Sequence, residues 1–280
     1  MSTWPDGYVP VNGIRIHYYR TGGDKPPVIF NHGAGDDGLC WTHVTRELEH
    51  DYDVIMLDAR GHGKSGSGKG DYSSAARLAD LARLIQALRL DRPVVGGHSM
   101  GADTSLHLAA GHPELVRAIF LEDPPVFLPG EALFGGDQAK GKDVGKMMRQ
   151  FMLTFKLVPK FIAVPLARKM SPTYPDDEIL PWVDSKQRVS FDFLNSMSLL
   201  DFNSPDALAP FRKIAMPVLL FIGDREKMSI VSQETARQIA GANPRVQVVH
   251  LEGASHDIRR TRFDGYLPAL KQFLDVVTLS

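Results

Sequence analysis

The chain has 280 residues, 43% of them hydrophobic and 23% charged, with a formal net charge of −1 at pH 7. This length allows one large α/β domain or two smaller ones, and the balanced charge gives no electrostatic case for nucleic acid or an anionic membrane surface. The single cysteine, Cys40, excludes an internal disulfide and agrees with a reducing compartment. No apolar run approaches the ~18 residues of a membrane span, and the first residues carry no leader-like pattern, so we expect a soluble cytoplasmic protein.

Strand and helix patterns alternate through the first 121 residues. Two strand-like runs, 8–11 and 14–19, are joined by Asn12-Gly13, a strong signal for a tight antiparallel hairpin. Such alternation is typical of an α/β fold with a mostly parallel sheet covered by helices on both faces. Further strands are predicted at 28–30, 52–57, 93–97 and 116–121, and helical apolar spacing is found at 41–48, 78–88 and 100–110.

The alternation stops at Pro124, where the composition changes. Residues 124–211 hold nine of the fourteen phenylalanines and five of the ten methionines, and Phe151 and Phe155 belong to an apolar stripe at helical spacing. We expect a helical cap inserted at 126–210, with 1–125 and 211–280 forming the core domain. The stripe is compatible with plain packing, with the lining of an apolar substrate site, for which Phe151 and Phe155 are candidates, or with contact to a second copy of the chain.

The alternation resumes after the predicted cap. Strands are predicted at 218–222 and 246–251, and helices at 231–240 and 263–277. The sequence has no internal repeat. Besides the two strands of the hairpin, the sequence therefore predicts six strands, four before the cap and two after it, in a pattern that favours parallel pairing.

Ser99 lies in Gly97-His98-Ser99-Met100-Gly101, which fits the pattern G-x-S-x-G between a predicted strand and a predicted helix. In that context the serine occupies a sharp, strained turn and the residues two positions away must be small. The hydroxyl would then project from the carboxyl edge of the sheet. We therefore predict Ser99 as a nucleophile.

A serine hydroxyl attacks efficiently only when a histidine takes its proton and a carboxylate orients that histidine. Catalytic groups of such sheets collect at the carboxyl ends of the strands, where His32, His62, His98 and His256 are expected. His256 follows the last strand on a loop that contains Gly253, so we predict it as the base. No metal-binding spacing of histidine, cysteine or acidic residues and no phosphate-binding glycine loop is present, and we expect neither a metal nor a cofactor.

Five motifs carry a resemblance that covers nearly the full length. They are residues 31–35, 58–65, 97–101, 223–226 and 253–256, read in this order. Together they resemble the α/β-hydrolase fold family, of the capped serine esterase and lactonase kind. The resemblance implies the order nucleophile, acid, histidine, and an oxyanion hole formed by the backbone N–H groups of Met100 and Ala34, next to His32 and Gly33, which we expect at the substrate. We assign a structural role to residues 60–65, because the glycines in this segment shape a tight turn near the site.

The acid is left open at this stage. The usual position in the family, after the strand before the last, places Glu226 there, and Asp224 is an alternative on the same loop. A minority of relatives take the acid from the end of the preceding strand, where this chain has Glu122 and Asp123. We carry Glu226 forward as the first expectation.

The predicted function is hydrolysis of a small-molecule carboxylic ester or lactone with an apolar portion, through an acyl-enzyme on Ser99. An amidase, a carbon–carbon bond hydrolase and a cofactor-free perhydrolase are alternatives on the same triad, since the fold does not determine the reaction. A protein of a different class, a receptor-like binding protein in which the cap closes on a ligand, also remains an alternative. The family resemblance would require an aspartate at this turn for dehalogenase or epoxide hydrolase activity, so Ser99 argues against both activities.

Overall fold

The computed structural model describes residues 4–128, 131, 141–197 and 206–279, without the side chains of residues 69 and 141–143. Three parts of the predicted cap, 129–130, 132–140 and 198–205, lie outside the described residues. Among the helices that are described, none combines the length and the apolar content needed to cross a bilayer.

The described strands form one eight-stranded sheet with the order β1-β2-β4-β3-β5-β6-β7-β8. β1 and β2 form the expected antiparallel hairpin, β2 pairs antiparallel with β4, and the remaining neighbours are parallel. The predicted α/β class with a mostly parallel sheet is thus confirmed. The strands are β1 Asp6–Val11, β2 Ile14–Arg20, β3 Pro27–Asn31, β4 Asp53–Leu57, β5 Val94–His98, β6 Ala118–Glu122, β7 Val218–Ile222 and β8 Val246–His250.

Helices cover both faces of this sheet. Because successive residues of a strand point to opposite faces, β5 contributes Val95 to one apolar cluster and Val94 to the other. The helices are α1 Thr42–Leu48, α2 Ser74–Ala87, α3 Met100–Gly111, α4 Gly141–Leu157, α5 Lys160–Met170, α6 Asp176–Arg188, α7 Phe191–Ser196, α8 Ala209–Lys213, α9 Gln233–Ala242, α10 Ile258–Thr261 and α11 Phe263–Leu279.

Helices α4 to α7 come between β6 and β7 in the chain. Helices α4, α5 and α6 share an apolar cluster that contains Phe155, Ala163 and Val183. A second cluster joins Met152 of α4 and Phe193 of α7 to Met100 at the start of α3. These helices thus pack on the loops at the carboxyl edge of the sheet, as a cap would, and the domain boundaries at 126 and 210 stay a prediction.

Candidate active site

Ser99 forms the turn between β5 and α3. Its backbone has φ 51° and ψ −115°, a conformation that costs energy for a residue with a side chain and is found at functional sites. The turn requires small neighbours: a Cβ on Gly97 would lie 2.7 Å from the carbonyl carbon of Gly101, and one on Gly101 would lie 2.7 Å from the carbonyl oxygen of His32. The G-x-S-x-G pattern therefore forms the strained strand-to-helix turn that it predicts.

His256 lies on the loop between β8 and α10, and its partner is a carboxylate. Nδ1 of His256 is 2.6 Å from Oδ2 of Asp123, the residue that follows β6. The Asp123 side chain is fully buried, whereas that of His256 is 24% exposed. Burial lowers the pKa of His256, but the hydrogen bond and the charge of Asp123 outweigh this effect, so its pKa is raised above the ordinary value.

The carboxylate of Asp123 is held in place by the loop after β7. Oδ1 accepts hydrogen bonds from the Ser229 hydroxyl at 2.9 Å and from the Val231 amide at 2.9 Å, and Oδ2 accepts one from the Ile230 amide at 2.7 Å. Together with the contact to His256, these donors satisfy the buried oxygens. The Asp123 carboxylate is thus held in one orientation, with Oδ2 toward the ring of His256.

The expectation for Glu226 is corrected by this arrangement. Glu226 is exposed in a short 3-10 turn, Arg225–Lys227, and does not contact His256. Asp224 instead accepts hydrogen bonds from the Gly253 amide at 2.7 Å and contacts Nε2 of His250 at 2.7 Å. The loop that was expected to supply the acid thus supplies hydrogen-bond donors to Asp123 at the end of the neighbouring strand.

Glu122, the other alternative, points away from His256 and forms a buried pair. Its side chain accepts hydrogen bonds from the Arg259 amide at 2.9 Å and from Nη1 of Arg259 at 3.0 Å. Because Glu122 and Asp123 are consecutive residues, their side chains leave the strand end in different directions. Of the four carboxylates considered, Asp123 is the one that the structure brings to His256.

The two amides expected to form an oxyanion hole lie beside this turn. Met100 is the first residue of α3, and an N–H at this position has no acceptor within its own helix. Within the described chain, the amide of Ala34 donates no hydrogen bond to another backbone group. The next amide, that of Gly35, donates to Nε2 of His62 at 3.1 Å, while Nδ1 of His62 donates to the carbonyl of Arg60 at 2.9 Å. Burial holds the pKa of His62 well below its usual range, so it stays a neutral support for this loop.

The four residues expected at the substrate have different environments. Gly33 borders the site, since a Cβ built on it would be 3.6 Å from the Cβ of Ser99. Nδ1 of His32 donates a hydrogen bond to the Gly33 carbonyl, and Nε2 accepts one from the Ala59 amide. Both polar atoms of the ring therefore hold the loop, and the expectation that His32 contacts a substrate is corrected. Phe155 is packed inside the cap against Trp182 and is likewise withdrawn as a substrate contact, whereas Phe151 is 37% exposed beside it.

A buried ionic cluster lies between the cap and the core near the site. Asp36 receives the ammonium of Lys186 from α6 and Nη2 of Arg260 from α10, and Asp257 pairs with Arg260 and with the hydroxyl of Tyr174. Ligand atoms of Asp36, His98 and Asp257 lie within 4.8 Å of one another, the spacing that a metal ion requires. The lysine and arginine already neutralise these carboxylates, so the donor set does not fit a divalent cation.

This cluster and His98 are features that the sequence reading did not assign. Their members come from residues 36, 98, 174, 186, 257 and 260, which are far apart in the chain. The one available signal was the position of His98 directly before Ser99, the predicted nucleophile. The other contacts are decided by how the cap sits on the sheet.

Comparison with known proteins defines the class of this protein. A family model described as the alpha/beta hydrolase fold matches residues 26–258, and the chain belongs to this family. Over 98% of its length and 98% of the relative's, the chain is 29% identical to an N-formylmaleamate deformylase of Pseudomonas putida. It is 25% identical to a 2-(acetamidomethylene)succinate hydrolase of Mesorhizobium japonicum, with 91% of this chain and 90% of that protein covered.

Solved structures agree on the fold. The structure of an E-2-(acetamidomethylene)succinate hydrolase aligns with a TM-score of 0.81 at 22% identity, covering 97% of this chain and 99% of that one. An enol-lactonase of Burkholderia xenovorans aligns with a TM-score of 0.73 at 22% identity, covering 96% of this chain and all of the other. These relatives are named as hydrolases of small molecules, and the chain is an enzyme of the same hydrolase family.

Proposed function

We propose that this protein is a serine hydrolase that cleaves a small carboxylic ester or lactone with an apolar portion. The observation that carries the proposal is the hydrogen bond of 2.6 Å between His256 and the buried Asp123, on the same sheet edge as the strained Ser99 turn. A base oriented by a carboxylate next to a serine in such a turn is the arrangement that acyl transfer needs.

In the proposed reaction, Oγ of Ser99 attacks the substrate carbonyl carbon while His256 takes the hydroxyl proton. The amides of Ala34 and Met100 donate hydrogen bonds to the resulting oxyanion, and such donors contribute about 3 to 4 kcal/mol each. When the tetrahedral intermediate collapses, His256 returns the proton to the leaving alcohol and the acyl group stays on Ser99. Water then loses a proton to His256 and attacks the ester, and the carboxylic acid is released as Ser99 regains its proton.

The apolar portion of the substrate is proposed from the cluster that covers this turn. Ala34 and Met100 pack against Met148, Met152 and Phe193 of the cap. An apolar group that displaces water from such a surface gains about 25 cal/mol per Å². The cap would also keep bulk water from the acyl-enzyme.

An amide is a second candidate substrate. Two relatives that match nearly the full length are named for an N-formyl compound and an acetamido compound, and both names describe amides. The same groups serve amide cleavage if His256 delivers its proton to a leaving nitrogen. We also propose a cytoplasmic location, because the single cysteine suits a reducing compartment.

Replacement of the nucleophile tests the proposal. Ser99→Ala should lower hydrolysis of p-nitrophenyl esters by at least about 10³-fold, since only the oxyanion donors and binding remain. Ser67→Ala, which removes an exposed hydroxyl that bonds Asp192, is the matched control and should retain wild-type rates. Undiminished turnover by Ser99→Ala would contradict the mechanism. A panel of esters, lactones and N-acyl amides with the wild type would then decide which bond is cleaved.

A further inference from the structure

His98 is the last residue of β5 and directly precedes Ser99. Its side chain is buried, with 4% exposure, and reaches the loop that carries His256. Nε2 of His98 is 3.0 Å from the backbone carbonyl oxygen of His256, and the two imidazole rings lie 4.5 Å apart between centroids. A single side chain thus connects the strand of the nucleophile to the loop of the base.

The partner of His98 determines its tautomer. A carbonyl oxygen can only accept, so Nε2 of His98 must carry the proton and donate it. Burial and the neighbouring His256 hold the pKa of His98 well below its usual range, so the ring is neutral and its Nδ1 bears a lone pair. Within the described residues that Nδ1 has no hydrogen-bond partner.

The same ring also contacts the loop of the proposed oxyanion hole. A Cβ built on Gly33 would lie 2.6 Å from Nδ1 of His98, so the glycine backbone rests against the ring without room for a side chain. Ala34 follows directly. The contact between Gly33 and the His98 ring consequently restricts where the Ala34 amide lies relative to Ser99.

We propose that His98 is a positioning residue that fixes the His256 loop and the oxyanion loop relative to Ser99, a role that rests on the proposed serine hydrolase function. It does not touch the substrate in this proposal. It acts through the carbonyl of His256 and the backbone of Gly33.

The sheet order explains why such a link is needed. β5 and β8 are separated by β6 and β7, so with a strand spacing of about 4.8 Å the loop after β8 must reach back about 14 Å to meet Ser99. The contact of Nδ1 with Asp123 holds the ring of His256 at one point. A second attachment at its backbone restricts rotation about that point, and a displacement of about 1 Å can cost on the order of 100-fold in rate.

Two substitutions separate the hydrogen bond from the volume of the side chain. His98→Gln keeps an N–H donor at about the position of Nε2, whereas His98→Leu has a similar size without a donor. We expect His98→Leu to lower kcat for p-nitrophenyl butyrate about tenfold or more with little change in KM, and to slow labelling of Ser99 by a fluorophosphonate to the same extent. His98→Gln should keep most of the wild-type kcat and most of the wild-type rate of Ser99 labelling.

The controls distinguish the possible failures. A cooperative thermal unfolding transition of each variant shows that it is folded. The control His50→Leu changes an exposed residue just before β4, at the opposite edge of the sheet. It should leave kcat and the labelling rate unchanged. If both His98 variants behave like the wild type, or lose activity equally while folded, the positioning role is overturned and the proposed function stands. If the wild type itself is not labelled at Ser99, the proposed function is overturned, and the positioning role with it.

Discussion

Asp123 combines two properties that mark it as a residue under constraint. Its φ is 46°, in the left-handed region that a residue with a side chain rarely adopts, and its carboxylate is fully buried. Three donors from the loop after β7 and the ring of His256 surround that carboxylate. These hydrogen bonds fix the orientation of the Asp123 carboxylate and offset the cost of burying it.

The acid is tested by comparing two carboxylates. Asp123→Asn should lower kcat/KM by about 10³- to 10⁴-fold, because an amide in this position favours the wrong tautomer of His256. Glu226→Gln makes the same chemical change on the loop where the acid was first expected and should retain nearly full activity. Ester hydrolysis by the two purified variants measures both. A large loss in Glu226→Gln with none in Asp123→Asn would reverse the assignment.

The pKa of His256 predicts the pH dependence. The base must be neutral to accept the Ser99 proton, and Asp123 raises its pKa above the ordinary value, so the acid limb of kcat/KM should lie above about pH 6.5. Without the Asp123 charge the protonated form loses its partner. The limb should therefore move to lower pH in the residual activity of Asp123→Asn, and a shift to higher pH would contradict this account.

The cap helices and the core are joined by charges of two kinds. Asp36 is buried with Lys186 of α6 and Arg260 of α10, whereas Asp177 of α6 pairs with Arg46 of α1 at 3.0 Å where both side chains are at least 35% exposed. Removing one partner of a buried pair leaves an uncompensated charge, while an exposed pair is screened by solvent. The two ion pairs that α6 makes with the core should therefore differ in strength.

This difference can be measured with two matched substitutions. Asp36→Asn should lower the free energy of unfolding by about 3 to 5 kcal/mol, and Asp177→Asn by less than about 1 kcal/mol, in urea titrations. Equal effects of the two changes would show that the buried cluster does not hold the cap on the core.

Cys40 provides an independent readout of the same interface. It is buried below α6, with its sulfur 3.9 Å from the carbonyl of Pro181, and burial raises the pKa of its thiol to about 12. A thiol in this state reacts slowly. A thiol reagent should thus label the native protein slowly and Asp36→Asn faster, with Asp177→Asn close to the wild type.

At the scale of the molecule, one sheet carries an apolar cluster on each face, and the cap adds clusters of its own. Trp41 packs against Phe30 in the core at 4.7 Å between ring centroids, and Trp182 lies in the cap against Phe155 at 4.8 Å. The two tryptophans therefore report on different parts of the chain. The shared cluster around Met100 and the ionic cluster around Asp36 connect those parts.

Because of these connections, we expect cap and core to unfold together. The variants Trp4→Phe/Trp41→Phe and Trp4→Phe/Trp182→Phe each keep one of the three tryptophans, and their fluorescence should change at the same fraction of the circular dichroism transition. An earlier transition for Trp182 would show that the cap unfolds independently. When Asp36→Asn is added to both variants, the fluorescence transitions of Trp41 and Trp182 should occur at different denaturant concentrations.

The sequence alone determined the α/β class, the hairpin and the strained turn at Ser99, because these depend on local patterns. Alternating apolar periods specify strands and helices, Asn12-Gly13 specifies the hairpin turn, and Gly97 and Gly101 make room for the turn at Ser99. The tertiary structure decided which carboxylate meets His256, since the loop after β7 turned its amides toward Asp123 rather than a carboxylate toward the histidine. It also decided the contact of His98 with the His256 loop and the burial of Asp36 with Lys186. These pairs are separated by 150 residues or more, and no local pattern encodes which distant side chains the sheet order brings together.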